Sequence, residues 1–166
     1  MSDILLKKYV AFKIGRELYA LNITHVKKIE DTKDIREIPN TDVEVKGIID
    51  FQGEQIVPIV DLRTLFNIHN TSDDQVPFII ISNVNDVWIG FIVDEVDEVI
   101  EINEKDISLG NLTETISSES SEYIQGIYRK KGETEKDEKL LIILNADKLI
   151  ERKKLQTLKE ISNHEE

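Results

Sequence analysis

The sequence predicts an all-β protein with short helices, arranged as two similar small barrels of strongly bent antiparallel strands. Three observations carry this prediction. Apolar stretches are short and bounded by turn signals, as in strands joined by hairpins. Helical patterns occur only at the end of each half, which disfavours a parallel sheet with crossover helices. The chain also states one pattern twice. Gly47-Ile48-Ile49, a turn at Gly53, the run Ile56–Val60 and Asp61-Leu62-Arg63-Thr64-Leu65 form the first copy. Gly126-Ile127-Tyr128, a loop at Gly132, Leu140–Leu144 and Asn145-Ala146-Asp147-Lys148-Leu149 form the second. Ile23, Val26 and Ile29 return 70 positions later as Val93, Val96 and Val99, and Lys33-Asp34-Ile35 returns as Lys105-Asp106-Ile107. A solenoid needs at least three short repeats, so one long duplication describes paired subdomains. Two barrels side by side leave a groove between them, which favours binding over catalysis.

Along the chain, Val10, Phe12 and Ile14 alternate with Tyr9, Ala11 and Lys13, and the two-residue period does not choose a buried face. Gly15-Arg16-Glu17 is a tight turn and Leu18–Leu21 the returning strand. Asn22 is expected to cap a short helical turn carrying Ile23, Val26 and Ile29 on one face. The charged stretch Glu30–Thr41, ending in Pro39-Asn40, reads as a loop. Val45–Phe51 and Gln55–Val60 make a second hairpin around Gly53, and Asp61 caps a short helix, Leu62–Phe66. The polar stretch Asn67–Val76 is the expected join between the halves.

In the second half, Phe78–Ile81, Val87–Val93 and Val96–Ile102 read as strands, followed by a loop rich in Ser, Thr and Glu over Leu109–Glu122. Ile124–Lys130 and Lys139–Leu144 are the last strands, flanking a charged loop, and Asp147–Ile161 has a helical pattern whose charged end is expected to fray. The expected organisation is a first barrel over residues 1–70, a second over 71–150 and a charged helical tail over 151–166. Four glycines, Gly47, Gly53, Gly90 and Gly126, are expected to be structural; Gly47 and Gly126 should lie where two backbones approach closely or a strand bends sharply.

Composition narrows the function. At 166 residues and 40% hydrophobic, the chain can build a real core. A net charge of −12 repels polyanions, so nucleic acid and acidic membranes are poor partners. The absence of cysteine removes thiolate nucleophiles, disulfides and cysteine metal sites. The apolar stretch in Met1–Lys8 is too short for an export signal, and no run approaches the roughly 18–20 apolar residues of a membrane span. The expectation is a cytoplasmic protein without direct membrane insertion.

No catalytic residue, metal or cofactor is assigned. His25, His69 and His164 lack a second histidine at metal spacing and read as structural or solvated. Asp94-Glu95-Val96-Asp97-Glu98 is an acidic cluster, but neighbours on a strand point to opposite faces, so it reads as a solvated edge. An enzyme reading would need Asp94, Glu95 and Asp97 to hold a metal. The seven glycines are scattered and no serine sits in a nucleophile elbow.

At the two hairpins the chain resembles a known family. Lys46-Gly47-Ile48-Ile49-Asp50-Phe51-Gln52-Gly53, then Ile56-Val57-Pro58-Ile59-Val60-Asp61-Leu62-Arg63, is similar to the signature of CheW, the chemotaxis coupling proteins. Gly90–Val96 resembles a segment of that family's second half, and Gly126-Ile127 with Leu141–Asn145 resembles its closing strands. The resemblance runs from about Tyr9 to Ile150. It implies two pseudo-symmetric five-stranded SH3-like barrels sharing an apolar interface. It also implies a non-enzymatic adaptor linking the histidine kinase CheA, through a regulatory domain of the same fold, to the cytoplasmic tips of methyl-accepting chemotaxis receptors. Self-association in arrays is a further implied property.

On that basis Val26, Lys28, Gln52 and Val99 are candidates for the receptor groove, and Lys46, Gly47, Phe51 and Arg63 for kinase docking. Val26 and Val99 read equally as apolar anchors or as plain core residues. Two departures stand out. The family usually has Asn-Leu-Arg where this chain has Asp50-Phe51-Gln52, and a Glu where it has Lys28. No charge-based contact carries over at either place, whereas Arg63 matches the family's arginine. The alternative reading is a module of the same type serving another two-component assembly; the short stretch after Ile150, with no room for a receiver domain, favours the free-standing coupler.

Overall fold

The computed structural model describes residues 6–32, 34–39, 45–66, 68, 76–108, 123–132 and 134–151. In chain order its strands are β1 (Leu6–Ile14), β2 (Glu17–Asn22), β3 (Val26–Asp31), β4 (Val45–Phe51), β5 (Gln55–Asp61), β6 (Phe78–Val84), β7 (Val87–Val93), β8 (Glu95–Asn103), β9 (Ile124–Lys130) and β10 (Lys139–Leu144). Among the described residues, two short helices, α1 (Leu62–Leu65) and α2 (Ala146–Glu151), follow β5 and β10. The strands form two five-stranded sheets, ordered β8-β1-β2-β10-β9 and β3-β6-β7-β5-β4.

The two orders superimpose when β1 is matched to β6, β2 to β7, β8 to β3, β9 to β4 and β10 to β5. The sequence repeats are therefore β1–β5 and β6–β10, but neither repeat makes a sheet alone. Each sheet combines the opening hairpin of one repeat with the last three strands of the other. This corrects the expected division into a first barrel over 1–70 and a second over 71–150. The chain changes sheets right after each opening hairpin, once between β2 and β3 and once between β7 and β8. The exchange is closed by parallel pairs, Leu18 with Leu141 and Gly90 with Ile59, which no hairpin can make.

Three apolar clusters hold the fold. Tyr9, Ala11, Leu18, Ala20, Ile102, Leu141 and Ile143 fill the interior of the first sheet. Ile49, Phe51, Val57, Ile59, Ile79, Ile81 and Ile92 fill that of the second. Phe12, Ile14, Tyr19, Leu21, Val60, Ile80, Ile89, Phe91 and their neighbours pack between the sheets. Strands in the middle are buried on both faces, and this is why their sequences run apolar instead of alternating. The undecided face of β1 is resolved in the same way. Tyr9 and Ala11 face the barrel interior, Phe12 and Ile14 face the seam, and all four are buried.

Matching irregularities reinforce the pseudo-symmetry. The β4/β5 register gains one residue between Val45 and Gly47, and the β9/β10 register gains one between Ile124 and Gly126. These are β-bulges. Gly47 and Gly126 thus occupy equivalent places on equivalent edge strands. Each lies under an extra strand-like contact, Arg36 with Ile48 and Ser108 with Ile127. A Cβ on Gly47 would sit 2.1 Å from the Arg36 carbonyl oxygen, and one on Gly126 would sit 2.4 Å from Ile107 Cγ2 and 3.0 Å from the Ser108 carbonyl oxygen. The expected close approach of backbones is present at both.

Asn22 caps a 3-10 turn over Ile23–His25, accepting from the Thr24 amide at 3.0 Å. Val26 and Ile29, expected on that turn, are instead on β3. Asp61 caps α1 as expected, its carboxylate accepting from the Arg63 amide at 2.9 Å. Most of the expected Asn67–Val76 join, the Leu109–Glu122 loop, the tail after Glu151, His69 and His164 lie outside the described residues. Among the described residues, no helix is long and apolar enough to cross a membrane.

Candidate protein-docking surface

The edge strands β3 and β8 each carry one exposed apolar side chain, and Leu6 on β1, Phe78 on β6, Leu140 on β10 and Val76 are exposed as well. Ile29 on β3 is 41% exposed and Val99 on β8 is 54% exposed. They are pseudo-equivalent. Ile29 stands opposite Ile80 on β6, and Val99 stands opposite Val10 on β1. One turn of the chain earlier, Val26 and Val96 are half-buried and pack on the cluster between the sheets. Between these apolar positions each strand has a bulge. The β3/β6 register gains a residue between Val26 and Lys28, and β8 gains one against β1 between Val96 and Val99. The bulge turns a spacing of three, which on a regular strand alternates faces, into one shared face.

The receptor-groove candidates come from both sheets. Val26 is on an edge strand of the second sheet and Val99 on an edge strand of the first. Val26 serves the seam and Val99 the surface. Lys28 is exposed and pairs with Glu30 on its own strand at 2.8 Å. Gln52 sits at φ 57 in the β4–β5 turn, on the opposite edge of the second sheet from β3.

The kinase-docking candidates divide similarly. Lys46 is the extra residue of the β4 bulge and is exposed. Gly47 and Phe51 are buried, a correction to their expected place on a docking surface. Gly47 is covered by Ile35 and Arg36, while Phe51 packs on Trp88 with ring centroids 5.5 Å apart inside the second barrel. Gly53 points into open space in its turn, and Gly90 faces Ile59 and Ile79 in the same interior.

Arg63 is held inside the fold. Its Nε and Nη2 donate to the two oxygens of Asp61, both at 2.9 Å, and Nη1 donates to Asp94 at 3.2 Å. Asp94 also accepts from the Gly15 amide at 2.6 Å and is 5% exposed. The forked pairing with Asp61 raises the guanidinium pKa above its ordinary value, against the burial that opposes it. Asp94 is thus a buried structural acid, which corrects its reading as part of a solvated edge. The neighbouring acids point elsewhere, as strand geometry requires: Glu95 lies 3.9 Å from Lys13, and Glu98 pairs with Lys130. The Glu98–Lys130 pair joins edge strands β8 and β9 and brings the first sheet's two edges together. Among the described residues, no three His, Asp or Glu side chains are placed to share a metal ion.

The arrangement offers exposed apolar residues on the bulged strands β3 and β8, while the charges of Asp61, Arg63 and Asp94 are committed to one another. The sequence already offers Ile29, which flanks Lys28 and matches Val99 in the repeat, as an apolar anchor, and the structure leaves it exposed.

Comparison with known proteins gives this architecture a family. The CheW-like domain profile matches residues 8–154. "Chemotaxis protein CheW" of Treponema pallidum is 32% identical over 153 residues, covering 90% of this chain and 85% of that protein. The protein of the same description from Thermotoga maritima is 28% identical over 142 residues, covering 86% of each. Among solved structures, the scaffolding protein TtCheW from Thermoanaerobacter tengcongensis aligns with a TM-score of 0.73 and 32% identity, covering 90% of this chain and 91% of that one. The chain belongs to the CheW-like domain family.

Proposed function

We propose that this chain is a chemotaxis coupling adaptor: a non-enzymatic scaffold, working in the cytoplasm, that joins the histidine kinase CheA to the cytoplasmic tips of methyl-accepting receptors. The observation that carries the reading is the agreement of sequence and fold with CheW proteins over nearly the whole chain. The geometry supports it, because Ile29 and Val99 are exposed on edge strands and suit helix-in-groove or barrel-to-barrel contact. For the receptor, Val99 and Ile29 are the exposed anchors, Val26 lies at the seam beneath, and Lys28 and Gln52 are peripheral. For the kinase, Lys46 is the exposed candidate, while Gly47, Phe51 and Arg63 act by shaping the strands beneath it. Self-association in arrays fits the same exposed edges.

The test is calorimetry of the full chain against the regulatory domain of the kinase and the receptor tip from the same genome. Binding of both supports the coupler; binding of neither overturns it. The second reading, a module for another two-component assembly, is favoured by Lys28, which pairs with Glu30 and offers a cation where relatives have an acid. Capture of a different kinase or receptor, with no affinity for the chemotaxis pair, would select it.

A further inference from the structure

The pseudo-equivalent edge strands β3 and β8 order their charges differently. On β8 the charged residues are all acids, Glu95, Asp97, Glu98 and Glu101. Two copies of that edge bring only acids together, which is one way an exposed edge is kept from pairing with itself. On β3 the order is Lys27-Lys28-Ile29-Glu30-Asp31: two cations, an apolar residue, two acids. Read backwards, that order is its own complement. Two copies of β3 laid antiparallel about a two-fold axis through Ile29 place Lys28 opposite Glu30, Lys27 opposite Asp31 and Ile29 opposite Ile29. A shift of one residue puts Ile29 opposite Lys28 or Glu30 and loses the match, so the sequence selects one alignment. A two-fold interface requires this kind of self-complementarity.

The structure presents that edge to solvent. β3 is the end strand of its sheet, and Lys27, Lys28, Ile29 and Asp31 are exposed. An end strand carries backbone donors and acceptors along its outer side, a template on which another strand can add. Lys28 and Glu30 share one face and pair at 2.8 Å, while Ile29 lies on the other. In the antiparallel pair, two such bridges stand side by side with opposite signs facing, a ring of four alternating charges. Surface ion pairs contribute most when they form a network. The net charge of −12 opposes any self-association, but at about 0.15 M salt it is screened beyond roughly 8 Å, and pairs in contact are screened much less.

We propose that β3 is a dimerisation edge: two copies of this chain join antiparallel through it, centred on Ile29, and merge their second sheets into one of ten strands. The bulge at Lys27 limits the regular contact to residues 28–31, so the dimer belongs to the weak class of interfaces and forms where the chain is concentrated. It covers Ile29, so the dimer and any partner anchored on Ile29 exclude each other. The pairing itself does not depend on which partner that is.

The absence of cysteine makes the register directly testable. Ile29→Cys in the full chain is oxidised at high protein concentration, with Asp31→Cys and Val99→Cys as references. Only the Ile29 variant is expected to give a disulfide-linked dimer in good yield. Asp31 would stand four residues from its copy, roughly 13 Å along the strand and beyond disulfide reach. Sedimentation equilibrium on cysteine-free variants then reads the charges. Lys28→Glu alone and Glu30→Lys alone each set like charges opposite one another and should weaken the dimer about tenfold. Together they restore the pattern with its signs exchanged and should bring the affinity back to within about twofold of the native chain. Circular dichroism checks that each variant is folded. Cross-linking of Asp31→Cys or Val99→Cys as efficient as that of Ile29→Cys would overturn the edge, and so would a double variant no better than the single ones. A native chain that stays monomeric, with no cross-link in Ile29→Cys, overturns it as well.

Discussion

At the scale of single residues, glycines and buried polar groups decide most. Gly47 has φ +150 and no room for a Cβ, with backbone atoms of Arg36 as the obstacle. Backbone cannot swing aside as a side-chain tip can, so Gly47→Ala should cost about 3 kcal/mol or more. Gly126→Ala meets the Ile107 Cγ2 methyl at 2.4 Å and the Ser108 carbonyl oxygen only at 3.0 Å, without a positive φ, and should cost less. Gly53, at φ +71 with open space around it, should cost only about 1 kcal/mol. Urea titration followed by Trp88 fluorescence gives the order; a Gly53→Ala loss as large as that of Gly47→Ala would show that dihedral strain, not the close approach, dominates.

Ser82 is fully buried between the sheets and its hydroxyl has no partner among the described residues. Ser82→Ala removes an unmet donor and should raise stability by about 1 kcal/mol, measured the same way. Arg63→Ala leaves Asp61 and Asp94 buried without their cation, for a loss of about 3 kcal/mol.

Tyr19 is buried in a stack with Phe12 and Phe66, and burial, aided by the charge of Glu17, raises its pKa to about 12. A phenol with its folded pKa raised from 10.0 contributes stability in full below pH 10.0 and loses it as pH climbs toward about 12. Across that window the loss should be on the order of 2–3 kcal/mol, and Tyr19→Phe should abolish that part of it. An alkaline profile unchanged by Tyr19→Phe would assign the loss to other groups.

At the scale of elements, the outer strands divide labour through their bulges. On β3, Val26 packs on the central cluster while Ile29, on the same face past the bulge, stays exposed; on β8, Val96 and Val99 do the same. Partner binding should therefore respond most cleanly to Ile29→Asp and Val99→Asp, which disturb no core. Losing an apolar anchor costs about 2 kcal/mol, near a thirtyfold fall in affinity, with the melting temperature unchanged. Val26→Asp should weaken binding and also lower the melting temperature, because its side chain supports the central cluster. Titration at low and high salt should change affinity little, since Lys28 is already paired with Glu30 and exposed ion pairs contribute about 0–1 kcal/mol. Normal affinity in both exposed variants would place the anchors on another surface.

The spacing of Ile23, Val26 and Ile29 also shows how a period misleads. Three-residue steps look helical, yet here only Ile23 lies in the 3-10 turn, and the bulge at Lys27 gives the strand a step of three. A bulge is a property of two paired strands and has no single-strand signature.

For the whole molecule, the exchange of strands makes the two halves of the chain interdependent. Residues 1–70 alone would hold β1 and β2 without their partners β8 and β10, and β3–β5 without β6 and β7. Fragments 1–70 and 71–166 are therefore expected to be unfolded singly and to assemble into a β-rich complex when mixed, as read by circular dichroism. A separately folded fragment 1–70 would mean that the repeat can close on itself.

The strands other than β3, their hairpins, the duplication and the caps at Asn22 and Asp61 were determined by the sequence alone. They depend on local turn chemistry, apolar runs and internal comparison, all of which act over a few residues or can be aligned by eye. The resemblance to a family was legible for the same reason. Only the tertiary structure decided which strands share a sheet. That choice depends on pairing between residues far apart in the chain, and both pairings bury the same apolar side chains. The fate of the charged and apolar candidates was decided there too. Arg63 and Asp94 look like any exposed pair until the crossover brings them together, and Val26 and Ile29 look alike until one strand meets the seam and the other side of the bulge meets water.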